Sequence, residues 1–247
     1  MQNKIILDIH TPTLASGHAY GTIREMAYAA SSRELKGIGF TEHAPGIPNT
    51  CDPFYFCNLI VIPREIFGVK IFHGSEINVL NDGTLSLEEK WIEKLDYCIV
   101  GIHTQCYNDE GVGKNTQNAI SCMKHPKVHF MSHPDDDHTP LDYNLLVLAA
   151  KQHKVALEVN NSSLVKKHKR LNCYENYKKM LKLCMELRVP IFVGSDAHDP
   201  SGVGAFKLAE ELLTSLNFDE DLIINNSLEK FIEFINFDAA QLNPKAS

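Results

Sequence analysis

Seven short runs rich in Ile, Val and Phe, separated by longer segments of helical period, constrain this chain more than any other feature. The runs are Ile5 to Ile9, Gly37 to Thr41, Lys70 to Ser75, Tyr97 to Ile102, Val128 to Ser132, Val155 to Val159 and Ile191 to Gly194. Between them, Thr22 to Leu35, Asn115 to Lys124, Asp142 to His153 and Cys173 to Arg188 read as helices, the last with Tyr177, Met180, Leu181, Cys184 and Leu187 on one face. Leu145, Leu148 and Ala149 read as helix core. Such an α/β rhythm closes into a barrel or lies open as a doubly wound sheet. The glycines at Gly111 and Gly113 have neither dinucleotide nor Walker spacing, which favours the barrel. No Pro/Ser/Gly-rich linker interrupts residues 1–247, so one domain is expected, with Phe206 to Phe237 as helical cover on the outside of the barrel.

With 44% hydrophobic and 22% charged residues, the chain has ample material for one packed core. Its 24 Lys+Arg against 31 Asp+Glu leave a net charge of −7, which supplies no broad positive field for a phosphate backbone or an anionic bilayer. Neither nucleic acid nor membrane is an expected partner. Met1 to Lys4 runs straight into the first apolar segment without a secretory pattern, so a cytoplasmic location is expected. The seven cysteines contain no CxxC pair and read as reduced packing residues.

The chemistry collects where the strands end. In a parallel βα barrel the residues just past the strands share one rim. Here they are Asp8-Ile9-His10, Glu42-His43, Glu76, His103, His133, Asn160-Asn161 and Asp196-Ala197-His198. Imidazole and carboxylate are the donors that hold zinc, manganese or iron, and their convergence from six loops is the pattern of a metal site. Asp196 and His198, two apart, point to the same side in extended backbone.

On these residues the chain resembles the PHP (polymerase and histidinol phosphatase) domain family, most closely its small YcdX-type phosphatases. The likeness rests on Asp8 to Tyr20 (DIHTPTLASGHAY), Phe40 to Pro45 (FTEHAP), His73 to Asn78 (HGSEIN), Val100 to His103 (VGIH), Lys114 to Gln117 (KNTQ), Met131 to Pro134 (MSHP), Leu157 to Ser163 (LEVNNSS) and Gly194 to His198 (GSDAH). It implies a distorted (β/α)7 barrel and a trinuclear centre of zinc or manganese. By the same resemblance, His10, Glu76 and Asp196 hold one metal. Glu76 bridges to a second, held by His103 and His133, and His18, His43 and His198 hold the third. The family's first motif is His-x-His, whereas this chain has Pro12 in the second position. Two metals or three are therefore compatible with the sequence, with Asp8 expected to orient His10 from behind.

A centre of this kind favours hydrolysis of small phosphate monoesters, with a metal-activated hydroxide as nucleophile and Glu76, Asp196 and His198 as the residues serving it. Arg64 matches an arginine of the similar phosphatases and is expected to bind substrate, as is Asn160. A general acid is sought among Asp135, Asp136, Asp137 and His138. The basic run from Lys166 to Arg170 reads as a solvated loop near the mouth. The competing readings are a nuclease of the same family and a metal-binding protein impaired by Pro12. Assembly into a homo-oligomer is compatible with either.

Overall fold

A computed structural model describes residues 4–242. In chain order the strands are β1 (Leu7–Thr11), β2 (Gly37–His43), β3 (Glu65–Ile66), β4 (Val69–Asn78), β5 (Tyr97–Gly101), β6 (Val128–Met131), β7 (Ala156–Asn160) and β8 (Ile191–Gly194). The helices are α1 (Ile23–Ser32), α2 (Phe54–Cys57), α3 (Glu89–Ile92), α4 (Val112–Met123), α5 (Tyr143–His153), α6 (Asn161–Val165), α7 (Cys173–Leu187), α8 (Lys207–Ser215) and α9 (Leu228–Phe234). Seven strands pair in parallel in the order β1-β2-β4-β5-β6-β7-β8, and β3 adds an antiparallel hairpin to β4. The expected seven strand runs are all present, within two residues at their starts.

Alternation along the strands sorts the interior into layers. Leu7, Phe72, Tyr97, Phe130, Ala156 and Phe192 fill the lower barrel. Further along the same faces come Gly74 and Glu76, Ser132, Glu158 and Asn160, and Gly194 and Asp196, while Ile9 and Ile99 extend the apolar layer, so that an apolar floor carries a polar ceiling. A second, larger apolar layer lies between the sheet and the outer helices, where Tyr177, Met180, Leu181 and Cys184 of α7 are fully buried. Leu145 and Leu148 are half exposed, against expectation; the buried stripe of α5 is Leu146, Val147, Ala149 and Ala150. The α5 helix starts one residue after Asp142, whose carboxylate caps the amides of Asn144 and Leu145, and this fixes which face turns inward.

The closing segment departs from the expected outer cover. Helix α8 does lie outside, but α9 plugs the N-terminal mouth, with the Phe231 ring edge-on to Phe72 at 4.8 Å and to Tyr97 at 5.7 Å. The segment before it closes the seam between the first and last barrel strands. Asn225 accepts from Val193 N at 3.0 Å and donates to the carbonyls of Leu7 and Val193 at 2.8 Å, while its own carbonyl accepts from Ile6 N. Among the described residues no helix is long and apolar enough to cross a membrane.

Asn225→Leu leaves three buried backbone groups without partners, and each such loss costs about 1–3 kcal/mol. Thermal unfolding is expected to fall by roughly 10 °C for a chain of this size, and an unchanged midpoint would show the seam to be held by other contacts.

Candidate metal centre

Glu76, fully buried on β4, is the point on which the barrel's upper rim converges. Its Oε1 lies 3.2 Å from His103 Nε2 and 3.0 Å from His133 Nε2. Its Oε2 lies 3.2 Å from His10 Nε2 and 3.1 Å from His43 Nδ1. The nitrogens of His10, His43 and His103 that face it are buried and make no hydrogen bond. A buried polar atom without a partner is costly, and three around one carboxylate form the donor set that a divalent cation satisfies. The residues present thus fit a metal.

The opposite ring nitrogens are held in place. His10 Nδ1 donates to Glu158 Oε1 at 2.7 Å, His103 Nδ1 to Asn78 Oδ1 at 2.7 Å, and His18 Nδ1 to the Ser16 carbonyl at 3.0 Å. Each contact fixes the tautomer that leaves Nε2 with its lone pair toward the centre. Charge divides the rings: burial would lower His10, but the carboxylates of Glu158, Glu76 and Asp196 raise it well above its ordinary value. Burial alone would raise Glu76, but the imidazoles of His10, His103 and His43 hold it well below the usual carboxylate range. Burial pushes His43 down to about 3, against the pull of Glu76, which keeps it neutral as a ligand must be.

Two groups of donors each lie within 4.8 Å: His18 with His43 and His198, and His43 with Glu76 and His103. The first is the expected third-metal trio, with His18 Nε2 and His198 Nε2 3.1 Å apart. The second draws in His43 where His133 was expected, although His133 touches the same carboxylate oxygen as His103. Asp196 approaches His10 Nε2 to 3.6 Å, and the expected first trio of His10, Glu76 and Asp196 is not one of these two close groups.

Several expected roles move. Asp8 does not orient His10: its carboxylate accepts from Ser195 N at 3.2 Å and Gly204 N at 2.8 Å, so it ties down the loop after β8. Burial, the largest influence on it, pushes Asp8 up to about 6. Glu158, which the sequence reading passed over, takes the orienting role and also accepts from His133 N at 2.7 Å. Its signal was available, because positions 156, 158 and 160 of β7 share the inward face and a carboxylate there cannot point to the outer apolar layer. Arg64 is far from the rim. It forms a two-pronged ion pair with Asp96 at the start of β5, the end of the barrel opposite to the residues gathered round Glu76. Asn160 is buried with both amide hydrogens engaged, toward Glu158 at 3.1 Å and Asp196 at 3.3 Å, so it positions ligands and does not face substrate.

The residues after His133 offer no free acid. Asp135 is paired with Arg170 at 2.7 Å, Asp136 with His138 at 2.7 Å, and Asp137 with Asn176 at 2.7 Å. Conversely, the basic run after β7 does reach the site: Lys166 and Arg170 line a cavity of about 520 Å³ together with His18, His43, Asp196 and His198. Glu42, next to His43 but on the other face, accepts from Thr13 N at 2.9 Å, Thr13 Oγ1 at 2.6 Å and Ser16 Oγ at 2.7 Å. It thereby anchors the loop that runs from buried Pro12 to His18.

Two glycines make room for the carboxylates. A Cβ at Gly194 would stand 2.0 Å from Glu158 Oε1, and one at Gly101 would stand 2.4 Å from Ser132 Oγ and 2.9 Å from Glu76 Oε1. Backbone strain marks the same place: His133 and Asp196 have φ of 27° and 52°, in the left-handed region that non-glycine residues rarely adopt.

Fold and centre together define a parallel βα barrel with a carboxylate-centred, imidazole-rich candidate metal site. No family model matches the chain. A protein of Caldicellulosiruptor bescii named "Probable phosphatase" is 37% identical over 239 residues, covering 96% of this chain and 98% of the relative. A solved chain from Listeria monocytogenes superposes with a TM-score of 0.61 at 18% identity, covering 82% of this chain and 99% of that one. The histidinol phosphate phosphatase of Lactococcus lactis, solved with zinc, L-histidinol and phosphate, superposes with a TM-score of 0.58 at 15% identity, covering 87% and 95%. The chain belongs to the PHP-type family of phosphatases.

Glu158→Gln is expected to keep the fold and lower metal retention or activity about 10–100-fold, the usual effect of disturbing a group that orients a ligand. Gly194→Ala, which forces Glu158 aside, is expected to lose a similar amount. Metal content after dialysis against a weak chelator checks both, and full retention in both variants would remove Glu158 from the site.

Proposed function

We propose that the protein is a metal-dependent phosphatase of small phosphate monoesters, with two or three divalent cations held by His10, His18, His43, Glu76, His103, His133, Asp196 and His198. The observation that carries this reading is Glu76, each of whose oxygens lies between two imidazoles. When bound, such cations supply Lewis acidity toward a phosphoryl oxygen and an activated water at neutral pH. Zinc is the first cation to test, because the Lactococcus lactis neighbour was solved with it. Manganese and iron follow, since imidazole and carboxylate suit all three.

The chain's own residues account for the remaining requirements. Lys166 and Arg170 place positive charge at the mouth of the cavity, where a protein of net charge −7 would otherwise repel a phosphate. Arg170 is held there by Asp135 and by the His133 carbonyl, at 2.7 and 2.9 Å, so its orientation is set before substrate arrives. A cavity of about 520 Å³ matches a small molecule, which favours a free phosphate ester over a polymer strand.

Hydrolysis of p-nitrophenyl phosphate by the purified protein, stripped with chelator and resupplied in turn with zinc, manganese and iron, tests the proposal. Turnover is expected to vanish on stripping and to return with at least one metal. Glu76→Gln is expected to abolish turnover while leaving the circular dichroism spectrum unchanged. Turnover that survives both treatments would overturn the reading, as would a metal-loaded wild type that hydrolyses no phosphomonoester.

A further inference from the structure

At the end of the barrel away from the metal centre, a cavity of about 680 Å³ opens between the starts of β6 and β8 and the ends of α5 and α7. It is larger than the catalytic cavity, and its charge is opposite to that of the molecule. Lys151, Lys154, Arg188 and Lys230 line it against a single carboxylate, Glu233, in a chain of net charge −7. Some of this charge is already used. Arg188 pairs with Asp219, Lys230 donates to the carbonyls of Asp221 and Ile223, and the helix C-termini nearby attract cations by themselves. Lys151 and Lys154 are exposed and make no side-chain ion pair or hydrogen bond among the described residues.

The floor is different in kind. Val128 and Ile224 are buried apolar residues, and Phe234 lies beside His129, with ring centroids 6.5 Å apart. The Nδ1 of His129 is buried without a hydrogen-bond partner. Burial lowers His129 to about 4, so the ring is neutral and offers hydrogen bonding with no charge of its own. A concave site with an apolar, aromatic floor, one unsatisfied polar atom and a cationic rim matches one ligand chemistry.

We propose that this cavity is a second ligand site, distinct from the metal centre, for a small flat apolar molecule that carries an anionic group. The ring system lies over Phe234 and His129, and the anion meets Lys151 and Lys154. The probe is 8-anilinonaphthalene-1-sulfonate, added to the metal-loaded protein and followed by fluorescence. Saturable binding is expected, with at least tenfold weaker affinity in the Lys151→Glu/Lys154→Glu double variant and weaker binding at high salt. Hydrolysis of p-nitrophenyl phosphate by the double variant is expected to equal wild type, which certifies its fold. A shift of the His129 imidazole proton resonance on adding the probe places the ligand. Absence of saturable binding to wild type, or equal affinity in the double variant, overturns the proposal.

Discussion

Burying one carboxylate among four imidazoles is the constraint on which the upper half of this barrel depends. Glu76 is withdrawn from solvent, and the imidazoles around it and the Ser132 hydroxyl are what offset that burial. Everything near it follows from the need to aim those groups. Asn78 and Glu158 hold the far nitrogens of His103 and His10, and Ser132 donates to Glu76 itself at 2.6 Å. Glycines stand where a methyl group would displace a carboxylate. The polar network is therefore specified to the level of single atoms, whereas the aromatic floor beneath it is specified only by volume and shape.

Much of this was legible in the sequence because both signals are periodic. The seven apolar runs marked the seven parallel strands, and the position just past each run marked His43, His103, His133, Asp196 and His198, which the fold brings to one rim. What was missed lay within the strands rather than after them. Glu158 is two residues before Asn160 on the same inward face, and reading only the strand ends passed over it. Asp8 looked like its substitute because it is two residues from His10, but the register of β1 shifts between Asp8 and Thr11. That irregularity breaks the simple rule that alternate residues share a side.

The two misplaced polar residues failed for different reasons. Arg64 was assigned by resemblance, and no local pattern says at which end of a barrel a loop arginine emerges; its carboxylate partner, Asp96, decides that. Asn160 was placed at the right site but in the wrong layer, since an amide that must donate to two buried carboxylates has nothing left for a ligand. The closing helix shows a similar limit. An amphipathic segment is equally suited to lie along a barrel or across its mouth, and the choice is made by Phe231 finding an aromatic cluster of its own size.

The seam has a consequence for how the chain is made. The edge of β1 that faces the gap stays without its partners until β8 and Asn225 have been synthesised. His10 lies on β1 and Asp196 two residues past β8, where its N–H donates to the His10 carbonyl at 3.0 Å, so their side of the candidate centre is assembled last. A chain interrupted short of β8 would hold six of the seven parallel strands but neither Asp196 nor His198. Assembly of this rim is thereby tied to the synthesis of β8 and the segment that follows it.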